Sequence, residues 1–215
     1  LGEENTRFIP ASYGTLPEID ITGHDVYIVD FSYPREVLVS LNDDANSLLV
    51  LDHHKTAEAA LEGLEFCQFD MARSGAGMAW DHFFPDTPRP WLVNYVEDRD
   101  IWKFEHPDSK LVSDYIMSQA QSFERWDEMV EMPLADAVST GRVIRNVIED
   151  YISIAAQQAR EIRRLKGFPR AVGYVVNATY WRASDLLNHL AKKPIPEGPH
   201  EGRWPDFAIA YFEKA

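Results

Sequence analysis

The residues best suited to chemistry are three consecutive ones, Asp52, His53 and His54, which directly follow the apolar run at residues 48–51. So short an apolar run is typical of a strand buried on both faces, as in a parallel sheet. Residues just past the carboxyl ends of such strands line the ligand crevice of open α/β sheets. A carboxylate and two imidazoles there can bind a metal ion, move a proton or contact a phosphate.

A second short apolar run, at residues 26–29, also ends in a carboxylate, that of Asp30. Between the two runs, Pro34 suits the first turn of a helix that we predict over residues 34–41. The order strand, helix, strand predicts a right-handed crossover with parallel strands. Asp30 and Asp52 are then expected at the same edge of one sheet, so two separate motifs form one candidate site.

Downstream of this pair, the start of a predicted helix offers candidate substrate contacts. Ser74 is a suitable N-cap, and the small residues Ser74 and Gly75 open a helix whose free N–H groups can receive a phosphate. Close helix packing explains the glycine about as well. Arg73 lies near enough in sequence to contact the same phosphate. We further predict helices and strands at residues 6–10 (strand), 56–61 (helix), 65–69 (strand), 74–84 (helix) and 90–97 (helix).

The helix at residues 90–97 runs into an acidic segment, residues 97–100, flanked on both sides by apolar residues. This flanking indicates that the segment emerges from the core, so that one of its carboxylates is able to reach the candidate site. The tryptophans nearby, Trp80, Trp91 and Trp102, are interpreted as core residues rather than a base-stacking platform.

The second half of the chain has a different pattern. Apolar residues spaced by three and four predict an amphipathic helix from about residue 134 to residue 166, before Gly167. A helix this long suits a connection between two domains. Beyond it we predict a strand over 171–178, a helix over 184–192 and a strand over 207–212, which form only part of a second α/β domain.

The composition narrows the class of protein. The 215 residues include 21 Lys and Arg against 35 Asp and Glu, a net charge of −14, so the chain lacks the basic field that drives binding to long duplex nucleic acid. Its single cysteine excludes a disulfide framework within the chain. We find neither a signal-peptide pattern nor an apolar run of about 18 residues, so the expected location is the cytoplasm, away from the membrane.

Asp30, the Asp52-His53-His54 triplet and the later acidic segment together resemble the DHH phosphoesterase superfamily. The resemblance covers residues 20–105 well and the remainder more loosely. It implies an α/β fold with three parts: a parallel-sheet DHH domain with flanking helices at residues 1–132, a long connecting helix at 133–167, and a partial substrate-binding domain at 168–215.

The resemblance also implies roles for individual residues. Such enzymes hold two manganese ions, and Mg²⁺ is the alternative metal. Asp30 corresponds to the carboxylate that bridges the two ions, and His53 and Asp98 to ligands of one ion, with Asp100 as the less favoured choice. Hard oxygen ligands with one imidazole agree with this metal preference.

In the catalytic roles, His54 resembles the histidine that contacts the substrate phosphate, and Asp52 the residue that orients the neighbouring imidazole. The implied substrate is a phosphoester of a small nucleotide or a short oligonucleotide, and a homodimer is the assembly to test. Two family motifs are missing: an N-terminal His and Asp-x-Asp before residue 26, and a Gly-Gly-Gly-His segment before the chain ends. We therefore expect this chain to be a piece of a longer phosphoesterase.

Two other functions compete with this one. A catalytically impaired nucleotide- or metal-binding module would retain the DHH fold and half of the site. A different metalloprotein would use only His53 and His54, although adjacent residues of a strand point to opposite faces, so that joint ligation requires a loop there.

Overall fold

The computed structural model describes residues 5–16, 19–162, 166–179, 182–196, 198 and 200–212. The chain divides into two compact units, Leu1–Val138 and Ser139–Ala215. The helices and strands that begin in the first unit are β1 (Asp25–Val29), α1 (Arg35–Asp44), β2 (Ser47–Asp52), α2 (Lys55–Leu61), β3 (Cys67–Phe69), α3 (Gly75–Phe83), α4 (Trp91–Asp100), α5 (Ser109–Ser118), α6 (Phe123–Glu131) and α7 (Leu134–Gln157). Those of the second unit are β4 (Arg160–Ile162), β5 (Gly173–Asn177), α8 (Ala183–Ala191) and β6 (Phe207–Tyr211).

The sheet of the first unit is parallel, in the order β1-β2-β3. Val29 at the end of β1 lies opposite Leu51, and Asp52 at the end of β2 lies opposite Phe69. The predicted parallel crossover between β1, which Asp30 follows, and β2, which ends at Asp52, is therefore confirmed. Because parallel strands end at the same edge, Asp30 and Asp52 share one side of the sheet.

The central strand β2 is the best-buried strand of this sheet. Its Leu48 and Val50 are buried on one face and Leu51 on the other, which is the burial that a short, continuously apolar strand predicts. Leu38 of α1 and Leu61 of α2 pack into the same core. This packing fixes the end of β2, from which the Asp-His-His triplet emerges.

The second unit contains a mixed sheet in the order β4-β5-β6. β4 runs antiparallel to β5, and β5 runs parallel to β6 across α8. The structure thus confirms a mixed α/β architecture.

Two predicted elements are wrong. The long helix ends at Gln157 instead of residue 166, because residues 160–162 pair with β5 as strand β4; residues 163–165 lie outside the described part. Residues 6–10 contain no strand, since within the described residues no neighbouring strand pairs with them. Among the described helices, none is both long and apolar enough to cross a membrane.

Candidate metal centre

Asp30 follows the last residue of β1 and continues its ladder, its N–H donating to the carbonyl of Leu51 at 2.9 Å. Its φ of 57° lies in the left-handed region, which non-glycine residues seldom occupy. Backbone strain of this kind persists only where the surrounding structure enforces it, and it is concentrated at functional sites.

The start of α3 packs directly against Asp30. A Cβ added to Gly75 would lie 2.3 Å from the Cβ of Asp30 and 2.8 Å from its Cα. The absence of a side chain at Gly75 thus allows the first turn of α3 to lie directly against Asp30. The sequence offered close packing and phosphate binding as two explanations of this glycine, and the geometry supports the first.

His53 lies between two carboxylates. Its Nε2 is 3.1 Å from Oδ1 of Asp30 and 3.3 Å from Oδ2 of Asp100. Potential ligand atoms of Asp30, His53 and His54 all lie within 4.8 Å of one another. Two carboxylates and an imidazole thus converge at the carboxyl edge of the sheet, with a second imidazole beside them.

The electrostatics of this cluster favour a cation. Burial raises the pKa of Asp30, and the negative charge of Asp100 raises it further. Two neighbouring carboxylates oppose each other's ionisation, and a bound cation would remove that opposition. The oxygen-rich donor set fits Mn²⁺ or Mg²⁺ better than a thiolate-preferring metal.

Asp52 is fully buried and holds His54. Its Oδ1 accepts from Nδ1 of His54 at 2.6 Å and from the His53 N–H at 2.7 Å, and its Oδ2 accepts from the Ser32 hydroxyl at 2.5 Å. Burial alone would raise the pKa of Asp52, but the hydrogen bonds from Ser32, His54 and the His53 N–H outweigh it and hold that pKa below its usual range. The ionised carboxylate cannot donate, so Nδ1 of His54 carries the hydrogen.

The consequence for His54 is a fixed and more basic ring. The hydrogen bond to Asp52 raises the pKa of His54, and the charge of Asp52 acts in the same direction. The side chain of His54 is nearly half exposed, whereas that of Asp52 is buried. The half-exposed imidazole of His54 is therefore held at the surface of the site by the buried carboxylate of Asp52 beneath it.

We predict that Ser32→Ala lowers the free energy of unfolding by about 1 kcal/mol, because buried Asp52 loses one of its hydrogen-bond donors. Urea unfolding measures this loss. The control is Ser47→Ala, which removes an equally short hydrogen bond to Asp25 at the exposed surface and should cost less than about 0.5 kcal/mol. Equal losses in the two variants would contradict a special role for Ser32.

Asp98 does not lie in the cluster with His53. It is 4% exposed, and its carboxylate accepts from the N–H groups of Glu105 at 2.8 Å and His106 at 3.2 Å. The structure brings Asp100 to His53, whereas the resemblance favours Asp98 over Asp100 as the ligand. The physical reason is that Asp98 is occupied as an anchor for the loop that follows α4.

The predicted phosphate contacts at the start of α3 are engaged within the protein. The Ser74 N–H donates to Oε2 of Glu97 at 2.9 Å, and its hydroxyl caps α3 by accepting from Gly77. Arg73 donates to Asp81 and to the Gly77 carbonyl. In the structure the Arg73 side chain therefore contacts α3, and the N–H and hydroxyl of Ser74 contact Glu97 and α3.

Arg89, which the sequence analysis missed, and Glu97, noted there only as part of the acidic segment 97–100, hold this part of the site in place. Arg89 donates to Oε1 of Glu97 at 2.7 Å, while the other oxygen of Glu97 accepts from the Ser74 N–H. Ser32 was also missed. Its only signal in the sequence is a hydroxyl two residues beyond a strand-ending carboxylate, and Arg89 has no comparable signal.

No protein-family model matches the chain, and no solved structure matches it. The chain is similar to the uncharacterized protein R106 of Acanthamoeba polyphaga mimivirus, with 34% identity over 118 residues. The match covers 54% of this chain but only 28% of the viral protein, so the chain spans less than a third of that relative.

Proposed function

We propose that this chain is part of a metal-dependent phosphohydrolase of the DHH type, acting on a phosphoester of a small nucleotide or a short oligonucleotide. The observation that carries the proposal is the convergence of Asp30, His53 and Asp100 at the carboxyl edge of a parallel sheet. Open α/β sheets bind their ligands at this edge.

In this proposal Asp30, His53 and Asp100 hold a divalent metal ion, Mn²⁺ or Mg²⁺. When bound, such an ion lowers the pKa of a water molecule and neutralises charge on a phosphate. The resemblance to DHH enzymes implies a second ion, with Asp30 as the ligand common to both. The proximity of the Asp30 and Asp100 carboxylates to one imidazole supports at least one of these positions.

His54 is the proposed phosphate contact. Its raised pKa means that a larger fraction of the ring is cationic near neutral pH than for an ordinary histidine. A cationic ring that donates hydrogen bonds suits a phosphate oxygen. Asp52 acts through His54 as a positioning residue, because it is buried and contacts that ring directly.

The test is calorimetric titration of Mn²⁺ into the chain and into the Asp30→Asn variant. We expect Asp30→Asn to weaken Mn²⁺ binding at least about tenfold and to abolish any Mn²⁺-dependent cleavage of a dinucleotide, since a neutral amide is a poorer ligand for a hard cation. Asp44→Asn, an exposed carboxylate at the end of α1, is the matched control and should leave both unchanged. Unchanged Mn²⁺ binding in Asp30→Asn would reject the site.

The second candidate function is a catalytically impaired nucleotide- or metal-binding module. Its support is that the described cluster near His53 contains two carboxylates, a ligand set suited to one ion rather than two. Such a module would bind Mn²⁺ through Asp30 but cleave no nucleotide. A metalloprotein based on His53 and His54 alone would instead keep its metal in both Asp30→Asn and Asp100→Asn.

A further inference from the structure

The segment after α4 forms a loop at residues 102–106, here called the aromatic loop, in which most of the backbone N–H groups donate to Asp98. The N–H groups of Lys103 and Phe104 donate to the carbonyl oxygen of Asp98 at 3.0 and 3.3 Å. The next two N–H groups, of Glu105 and His106, donate to its carboxylate. Four consecutive backbone donors thus converge on one buried residue, which gives the loop a defined conformation.

Two aromatic residues in this loop have strained backbones. Trp102 and Phe104 have φ values of 59° and 54°, in the left-handed region that bulky residues rarely occupy. Their rings contact each other edge to face, with centroids 5.0 Å apart. Trp102, predicted from the sequence to be a core residue, is 46% exposed. The strain therefore presents a tryptophan to solvent rather than to the core.

Two basic side chains, those of Arg99 and Lys110, lie over these two rings, although the protein as a whole is acidic. The guanidinium of Arg99 lies 4.8 Å from the Trp102 ring centroid and 5.6 Å from that of Phe104. The ammonium of Lys110 lies 5.4 Å from the Phe104 centroid. An aromatic face with positive charge behind it is the kind of surface on which nucleobases stack.

The aromatic loop is also close to the candidate metal centre. Asp100, which contacts His53, is separated from Trp102 by a single residue, so their Cα atoms are at most about 7 Å apart. A nucleotide whose phosphate lies at the metal centre has its base within reach of a residue at that separation. Asp98 holds the aromatic loop through its carboxylate, and Asp100, two residues further along α4, contacts His53.

We propose that Trp102, supported by Arg99 and Phe104, is a stacking platform for the base of the nucleotide substrate. The inference rests on the proposed function for the position of the phosphate, and it adds that the substrate is recognised by its base. Stacking accepts any base, because every base has a π face, so we expect little preference among the four bases.

The test compares the binding of 5′-AMP with that of ribose 5-phosphate, which lacks the base, by titration calorimetry with and without Mn²⁺. We expect the chain to bind 5′-AMP about tenfold or more tightly than ribose 5-phosphate. Trp102→Leu should reduce this ratio to nearly one, and Trp102→Phe should retain most of it. Trp204→Ala, which removes another exposed tryptophan, is the control and should leave the ratio unchanged.

Equal affinity of the chain for the two ligands would overturn the platform, and so would an unchanged ratio in Trp102→Leu. If the Trp102→Leu variant does not fold, Trp102→Phe provides the test instead. Loss of the preference for 5′-AMP over ribose 5-phosphate in a folded Trp102→Phe variant would then contradict stacking on an aromatic ring at this position. Failure of the stacking platform can be distinguished from failure of the proposed hydrolase function. Absence of Mn²⁺ binding and of cleavage would reject the hydrolase, whereas the base preference is measured without either.

Discussion

The Gly75→Ala variant should lose about 3 kcal/mol of folding free energy and bind Mn²⁺ about a hundredfold more weakly. The added methyl group would lie 2.3 Å from the Asp30 Cβ and 2.8 Å from the Asp30 Cα, so backbone as well as side chain must move. Overpacking of a well-packed contact costs about 1–3 kcal/mol, occasionally more. Because Asp30 is the contacted residue, the displacement falls directly on a proposed metal ligand.

Urea unfolding and Mn²⁺ titration measure the two effects of Gly75→Ala separately. The control is Gly63→Ala, where φ is +85° and nothing lies within 4 Å of an added Cβ. That variant introduces the same methyl group and should cost about 1–2 kcal/mol from backbone strain alone, with Mn²⁺ binding unchanged. If Gly75→Ala bound Mn²⁺ as well as Gly63→Ala does, the contact between α3 and Asp30 would not shape the metal centre.

The sheet edge was predictable from the sequence because its signals are local. Two short apolar runs each end in a carboxylate, and a helix between them requires a parallel crossover. These facts place Asp30 and Asp52 at one edge without any knowledge of packing. The Asp-His-His triplet was likewise predictable, because it follows a strand buried on both faces and so must emerge at the crevice.

The role of each residue in the acidic segment 97–100 was not predictable. Consecutive helical residues point about 100° apart, so these four side chains leave α4 in four directions. A clear apolar stripe would have shown which direction faces the site, but α4 has apolar residues nearly all round its first two turns. The choice between Asp98 and Asp100 depends on the rotation of α4 about its axis, which tertiary packing sets.

The end of α7 at Gln157 was likewise not predictable from the sequence. Ile162 continues the helical spacing of apolar residues, yet residues 160–162 form β4. Over three residues the periods of a helix and a strand cannot be distinguished. Pairing with β5, which lies more than ten residues further along the chain, decides the conformation.

The different contacts of Glu97 and Asp98 lead to different expectations for Mn²⁺ affinity when each carboxylate is changed to its amide. Glu97→Gln should weaken Mn²⁺ binding about tenfold. Arg89 donates to one oxygen of Glu97 and the Ser74 N–H donates to the other. These two contacts hold the start of α3 against Asp30, a proposed metal ligand. Its stability cost should be about 2 kcal/mol, since the Glu97 and Arg89 side chains are only 16% and 19% exposed.

Asp98→Asn should show a similar stability loss of about 2 kcal/mol but keep Mn²⁺ affinity within about twofold of the unsubstituted chain. The N–H groups of Glu105 and His106 donate to different oxygens of Asp98, and an asparagine replaces one of those oxygens by an NH₂ group, so one N–H loses its acceptor. Both variants change one acidic group to its amide at adjacent positions of α4, and therefore each controls for the other. If Asp98→Asn abolished Mn²⁺ binding and Glu97→Gln left it intact, Asp98 would be the metal ligand and the assignment of Asp100 would fail.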